Sequence, residues 1–225
     1  LTSDVSAIFA SDYAFAALKT DGSVAAWGAA CCGGDASGVQ SALTNVETIF
    51  ATTSAIAALK NDGSVVTWGQ DNRGGADPSI GAGSDIETVF SDWFSFVFLK
   101  KDGTVLKQHP EQTNPPSLTG SVKAIVGTGE YGWAALDSNG GVQCFGTYSY
   151  SPLFSANYTF FNVPDPNLSS GVIYITSTKR AFAALKADGS VTVWGSPYYG
   201  GKDPGLTSNV VDLYANENAF SALLA

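Results

Sequence analysis

The residues of this chain that could do chemistry are few and scattered. Its single histidine, His109, stands beside Pro110 in a connecting segment, a place that exposes an imidazole rather than poising it as a base. Three glycine-pair loops carry acids, Asp35, Asp77 and Asp203, with Asp71 also in the second. One or two carboxylates per loop fall short of the roughly six to eight oxygens that calcium prefers, so these loops read as turns and no metal site is expected. Of the three cysteines, Cys31 and Cys32 adjoin in one loop and Cys144 is distant, which is neither a disulfide framework nor a metal-ligand set. They read as unpaired thiols that behave as small buried apolar groups, and a bridge from Cys144 to either of the others is not expected. No nucleophile elbow, phosphate-cradling glycine loop before a helix, or carboxylate pair tied to a base occurs. The chain does not read as an enzyme, and no cofactor is expected.

Recognition is better represented than catalysis. The link from Phe145 to Ile175 is the longest between repeated segments, and it holds Tyr148, Tyr150, Phe154, Tyr158, Phe160 and Phe161. An aromatic-rich excursion from a rigid scaffold suits a binding surface, and the bulky Trp93 of another segment joins the candidates. The plainer alternative is that the rings fold back over a sheet edge, since six aromatics left in water invite aggregation. Two glycosylation sequons lie in the same link, at Asn157 and Asn167, and together they favour an extracellular or cell-surface glycoprotein. With 11 basic against 20 acidic residues and a net charge of −9, nucleic acid is not an expected partner. No apolar run approaches the roughly 20 residues of a membrane-spanning helix, so membrane insertion is not expected. The expected partner is a protein of unknown identity, and carbohydrate could use the same aromatic rings.

These residues must be positioned by a segment that recurs. Ala14 to Gly28, AFAALKTDGSVAAWG, is two short apolar runs joined by Asp-Gly, a strong hairpin signal because Gly22 can take positive φ. It returns as Ala55 to Gly69 and Ala181 to Gly195, and in degraded form as Ser95 to Gln108 and Gly132 to Gly146. A sixth copy, Ala219 to Ala225, stops before its turn. Each hairpin follows an earlier β-prone run: Val5 to Ala10, Val46 to Ala51, Ile86 to Ser91, Val122 to Gly127, Val172 to Ser177 and Val210 to Ala215. Three strands per unit are therefore predicted, with room for a fourth in the links, at a period of about 40 residues typical of propellers and arrays. Runs such as AFAALK are apolar on both faces, which requires a cover on both sides; radially stacked sheets supply it and a two-sheet sandwich does not. On this reading Leu18 and Trp27 fill the contacts between sheets, while Lys19 and Asp21 sit at the wet end of the hairpin. In the third unit, Gln108-His109-Pro110 replaces Trp-Gly, so its last strand is expected to finish early or lie at an edge.

The pattern apolar-Ala-Leu-Lys-x-Asp-Gly-Ser-Val-x-x-Trp-Gly, with its preceding strand and following Gly-Gly loop, resembles the repeat of the RCC1 (regulator of chromosome condensation) family of β-propellers. It is nearest to the degenerate bacterial and algal versions, which include the β-lactamase inhibitor protein type. The resemblance covers nearly the whole chain. It implies an all-β propeller, with members typically seven-bladed and binding proteins rather than catalysing. Where the better-known repeat carries histidine before its Ala-Leu strand, this chain has Ala14, Ala55, Ser95, Gly132 and Ala181, so the guanine-nucleotide exchange role is not carried over. The expected organisation is one repeat domain over 1–225, in units 1–41, 42–81, 82–118, 119–168, 169–206 and a partial 207–225. That is five complete blades and part of a sixth. Both ends carry the same early strands, no methionine occurs and the chain opens on Leu1, so it reads as a section of a larger propeller or assembly. The expected function is a non-catalytic interaction or structural scaffold, the alternatives being a proteinaceous enzyme inhibitor or a carbohydrate-binding propeller.

Overall fold

The computed structural model describes residues 4–75, 85–107, 121–129, 132–145 and 168–225. It divides into two compact units, Leu1–Glu111 and Gln112–Ala225. The first holds three antiparallel sheets of three strands each: β1 (Val5–Ala10), β2 (Ala14–Lys19), β3 (Val24–Gly28); β4 (Val46–Ala51), β5 (Ala55–Lys60), β6 (Val65–Gly69); and β7 (Ile86–Ser91), β8 (Phe96–Lys100), β9 (Val105–Lys107). The second holds β10 (Val122–Gly127), β11 (Trp133–Asp137), β12 (Val142–Phe145); β13 (Val172–Ser177), β14 (Ala181–Lys186), β15 (Val191–Gly195); and a two-stranded sheet of β16 (Val210–Ala215) and β17 (Phe220–Leu224). The six early strands fall at the bounds their sequence predicts. Among the described residues the links hold no fourth strand and carry 3-10 turns instead, such as Ala30–Cys32 and Gln40–Ala42 in the first and Asp71–Arg73 in the second.

Each hairpin closes as its Asp-Gly turn, or Asn139-Gly140 in the fourth, requires. Gly22, Gly63, Gly103, Gly140 and Gly189 all adopt φ between 76° and 83°. In the first turn the Asp21 carboxylate accepts from the Ser23 backbone N–H at 2.9 Å and from its hydroxyl at 2.6 Å, and the Asp188–Ser190 pair repeats both contacts. These bonds hold the exposed carboxyls of Asp21 and Asp188 below their ordinary pKa, the Ser hydroxyl contributing most. The first strand of every sheet carries a bulge near its start, between Val5 and Ala7 in the first and Val210 and Asp212 in the last. The extra residue turns outward, which accounts for the exposure of Ile173 and Val211.

The core lies between sheets, where one sheet presents small residues and the next presents large ones. Ala14, Ala16, Leu18 and Val24 of the first sheet pack on Ile49, Ile56, Ala58 and Trp68 of the second. Ala55, Ala57 and Leu59 pack on Val89, Phe96 and Phe98 of the third. In the second unit, Ala134 and Leu136 meet Ile175, Phe182 and Trp194, and Ala183 and Leu185 meet Leu213, Phe220 and Ala222. Such bulky-on-small interlocking is how close-packed interiors avoid voids. Leu18 is buried as expected, but Trp27 is not: it is 37% exposed, against 4% for its equivalent Trp68 and 7% for Trp194.

Candidate interaction surface

The two ends of each sheet are built differently. At one end the Asp-Gly turn grips the start of the following sheet: the carbonyl of Gly22 accepts from Val46 N–H at 2.9 Å, that of Gly63 from Ile86 at 3.1 Å, that of Gly140 from Val172 at 3.0 Å and that of Gly189 from Val210 at 3.1 Å. The residue before the early strand takes positive φ in five of the sheets, as Asp4, Asn45, Asp85, Gly171 and Asn209. Its carbonyl accepts from the residue just past the sheet's second strand, as Asn45 does from Asn61 at 3.0 Å. This signal was in the sequence all along, as Asp, Asn or Gly immediately before a β-branched residue, the residue types that tolerate left-handed backbone.

The opposite end carries the turn between the first two strands and the loop that follows the third. A side-chain oxygen opens each turn and ties it down. The Thr52 hydroxyl accepts from Ser54 and Ala55 N–H at 3.3 and 3.0 Å and donates to the Arg73 carbonyl at 3.0 Å. Thr178 accepts from Ala181 N–H at 3.1 Å and donates to the Tyr199 carbonyl at 2.8 Å, and Ser11 makes the corresponding contact to Cys32 at 3.4 Å. In all three the donor and the loop carbonyl are 21 positions apart in sequence. The third sheet uses Asp92, whose carboxylate accepts from Phe94 and Ser95 N–H at 2.7 and 2.6 Å.

The trailing loops are fixed by paired glycines. Gly33, Gly74 and Gly200 lie at φ 100°, 100° and 95°. The next glycine leaves no room for a side chain: a Cβ on Gly34, Gly75 or Gly201 would come within 2.6 Å of Gly28, Gly69 or Gly195 backbone. The loop then leans on the following sheet. Trp68 Nε1 donates to the Gly33 carbonyl at 2.9 Å, and the Arg73 guanidinium lies 3.8 Å from the centre of the Phe94 ring. What varies is the tip: Ala30–Cys31 in one loop, Asp71–Asn72 in another, and Pro197–Tyr198 in a third, with Tyr198 92% exposed.

The predicted chemistry-bearing residues fall as follows. Trp93 is half-buried at this end of the third sheet, where its carbonyl accepts from the backbone N–H and hydroxyl of Thr53 at 3.1 and 2.7 Å and its ring meets Phe94 edge-on. Tyr148, Tyr150, Phe154, Tyr158, Phe160, Phe161, Asn157, Asn167, Asp77 and His109 lie outside the described residues. Asp35 and Asp203 each cap a local turn, accepting from Ser37 and Gly205 N–H at 2.8 Å. No group of three or more His, Cys, Asp or Glu among the described residues could hold a metal ion, and no described helix is long and apolar enough to cross a membrane. The expectation of unpaired thiols is corrected for two of the three cysteines. Cys31 and Cys32 are joined in a disulfide between neighbours, with Cys31 exposed and Cys32 buried, because the tight turn of Ala30–Cys32 gathers adjacent side chains at the loop tip. Cys144 is a free thiol packed among the apolar residues of the fourth and fifth sheets, and burial pushes its pKa up to about 12 against a smaller opposing hydrogen bond with Trp194. A thiol so disfavoured as thiolate is a poor nucleophile.

No family model matches the chain, and none of the curated proteins matches it. Solved structures do. The crinkly WD40 ectodomain of the Arabidopsis thaliana receptor kinase ACR4 aligns with 89% of this chain at 14% identity, with a TM-score of 0.54 over 67% of its own length. The ectodomain of the Physcomitrella patens receptor kinase CR4 aligns with 89% at 15% identity and a TM-score of 0.55, over 53% of its length. Saccharomyces cerevisiae Prp20p aligns with 98% at 15% identity and a TM-score of 0.59, over 69% of its length. The chain thus spans between about half and about two thirds of the proteins it resembles. At such identity the likeness shows the fold alone, an all-β arrangement of sheets like the blades of propellers.

Proposed function

We propose that this chain is a non-catalytic protein-interaction module of RCC1-like blades, carried by a secreted or surface-exposed protein. The observation that carries the reading is the contrast within the loop-bearing end. Its frame recurs residue by residue, as the hydroxyl-to-loop hydrogen bonds and paired glycines, while its tips change chemistry from a disulfide to Asp-Asn to Pro-Tyr. Rigid frames with variable tips are how scaffolds present recognition surfaces.

The aromatic excursion of Tyr148, Tyr150, Phe154, Tyr158, Phe160 and Phe161, with Trp93, supplies the anchors in this proposal, and glycans on Asn157 and Asn167 in the same stretch would oppose tight protein contact there. The paired sequons and the likeness to two plant receptor ectodomains support the surface assignment. The test is crosslink capture from the extracellular fraction with the intact chain, in parallel with Trp93→Ala, Tyr198→Ala and Asp188→Asn. A partner lost with either tip variant and kept with Asp188→Asn, at the opposite end of its sheet, supports the reading; a partner lost equally with all three, or turned over by the chain, refutes it. Expression through a secretory pathway followed by intact mass before and after deglycosylation decides the sequons.

A further inference from the structure

The disulfide between Cys31 and Cys32 joins neighbours, so it crosslinks no two elements of the fold. A bond that closes so short a loop restricts the unfolded chain less than any longer one does. Nor does it shape the turn in which it sits. In the first trailing loop the Cys32 and Gly34 N–H groups donate to the Ala29 carbonyl at 3.0 and 2.9 Å. Arg73 and Gly75 donate to Gln70 at 2.9 and 2.9 Å, and Tyr199 and Gly201 to Ser196 at 3.0 and 2.9 Å. Two loops without cysteine thus build the same turn, and what the bond adds is its chemistry.

That chemistry is open to solvent on one side. Cys31 is exposed, while Cys32 beneath it is 8% exposed. The exposure belongs to the position in the repeat, since Asn72 and Tyr198, which stand where Cys31 does, are exposed as well. Asn72 follows the sheet β4–β6, which packs on another sheet at each face. Below the tip the frame is tied independently of sulfur: the Cys32 carbonyl accepts from the Ser11 hydroxyl at 3.4 Å, and the Gly33 carbonyl from Trp68 Nε1 at 2.9 Å. Exposed disulfides are the readily reduced ones.

We propose that Cys31–Cys32 is a reversible thiol–disulfide exchange site that takes dithiols as its reductant, and that the loop keeps its frame in both states. One thiolate of the dithiol attacks Cys31 Sγ; the Cys31–Cys32 bond breaks, a mixed disulfide forms on Cys31, and Cys32 leaves as a thiolate that takes up a proton. The second thiolate of the reductant then attacks its own partner sulfur in the mixed bond, closing the reductant's ring and releasing Cys31, which is protonated in turn. Two electrons and two protons pass from the dithiol to the cysteine pair. Cys144, packed among the apolar residues of the fourth and fifth sheets, takes no part. Exchange replaces a closed ring by two thiols at one tip of the loop-bearing end, beside the interaction surface proposed above and independent of it.

The test equilibrates the folded chain with dithiothreitol at graded reduced-to-oxidised ratios, quenches in acid, alkylates and maps the modified cysteines by peptide mass. Far-ultraviolet circular dichroism and urea unfolding are run on both end states. Cys31 and Cys32 are expected to appear together as thiols as the ratio rises and to reclose when it is reversed, with the spectrum and the urea midpoint unchanged. To identify the attacked sulfur, Cys31 in Cys32→Ser is expected to react with iodoacetamide under native conditions about tenfold faster than Cys32 in Cys31→Ser. A bond that opens only in urea, a reduced pair that does not reclose, or a reduced chain whose urea midpoint falls overturns the proposal. Equal alkylation rates in the two variants overturn it as well, since attack would then have no preferred sulfur.

Discussion

Gly189 and Gly205 both hold positive φ, at 80° and 68°, but a Cβ on the first would lie 2.7 Å from the Asn209 backbone nitrogen while one on the second meets nothing within 4 Å. Gly205→Ala therefore incurs backbone strain alone, about 1 kcal/mol, whereas Gly189→Ala adds a backbone collision and costs up to about 3 kcal/mol. Urea unfolding of the two variants measures the difference. The Asp188 carboxyl is held below its ordinary value of 3.8 chiefly by the Ser190 hydroxyl, so it binds its proton less readily folded than unfolded. Its stabilising contribution is complete above the ordinary value and drains away as pH falls through the lowered one. Ser190→Ala should move the Asp188 titration upward towards the ordinary value, read by NMR of the side-chain carboxyl. Cys144, with its thiol pushed up to about 12, should resist alkylation at pH 8 in the folded chain and react once denatured; rapid labelling under native conditions would contradict its packed setting.

At the scale of the elements, the Thr178 hydroxyl closes its own turn and reaches the Tyr199 carbonyl, so one side chain fixes both structures that frame the loop-bearing end. Thr178→Val keeps the shape and strands these groups, and is expected to cost about 1–3 kcal/mol by urea unfolding, with Thr178→Ser recovering most of it. The strands were legible because two periodic apolar runs around Asp-Gly leave little choice of local structure, and AFAALK at Ala14 and Ala181 gives the same strand twice. The trailing loops were less so. The Cys31–Cys32 bond depends on how a 3-10 turn aims neighbouring side chains, which pairwise spacing does not encode. The hydroxyl-to-carbonyl bonds across 21 positions were present as Ser11, Thr52 and Thr178 ahead of each Ala-led strand, but their partners are backbone groups and leave no residue-type signature.

On the scale of the molecule, the sequence told that each sheet is covered on both faces and could not tell which faces go uncovered, because Phe15 and Phe182 sit in the same five-residue run AFAAL. Their difference lies in neighbours rather than in local preference. Acrylamide quenching should show it, with Trp27→Phe removing a readily quenched component and Trp68→Phe a protected one. A second consequence follows from where the repeats are fastened. Backbone hydrogen bonds recur in register from the left-handed opening residue of a unit to the glycine pair behind its last strand. The intervals Gly34 to Asn45, Gly75 to Asp85 and Gly201 to Asn209 differ in length while the fastened parts keep theirs. A foreign peptide spliced at the exposed Ser37–Gly38, clear of the buried Ala36 and Leu43, should therefore be displayed without unfolding its host, which makes the chain a ready chassis for engineered ligands.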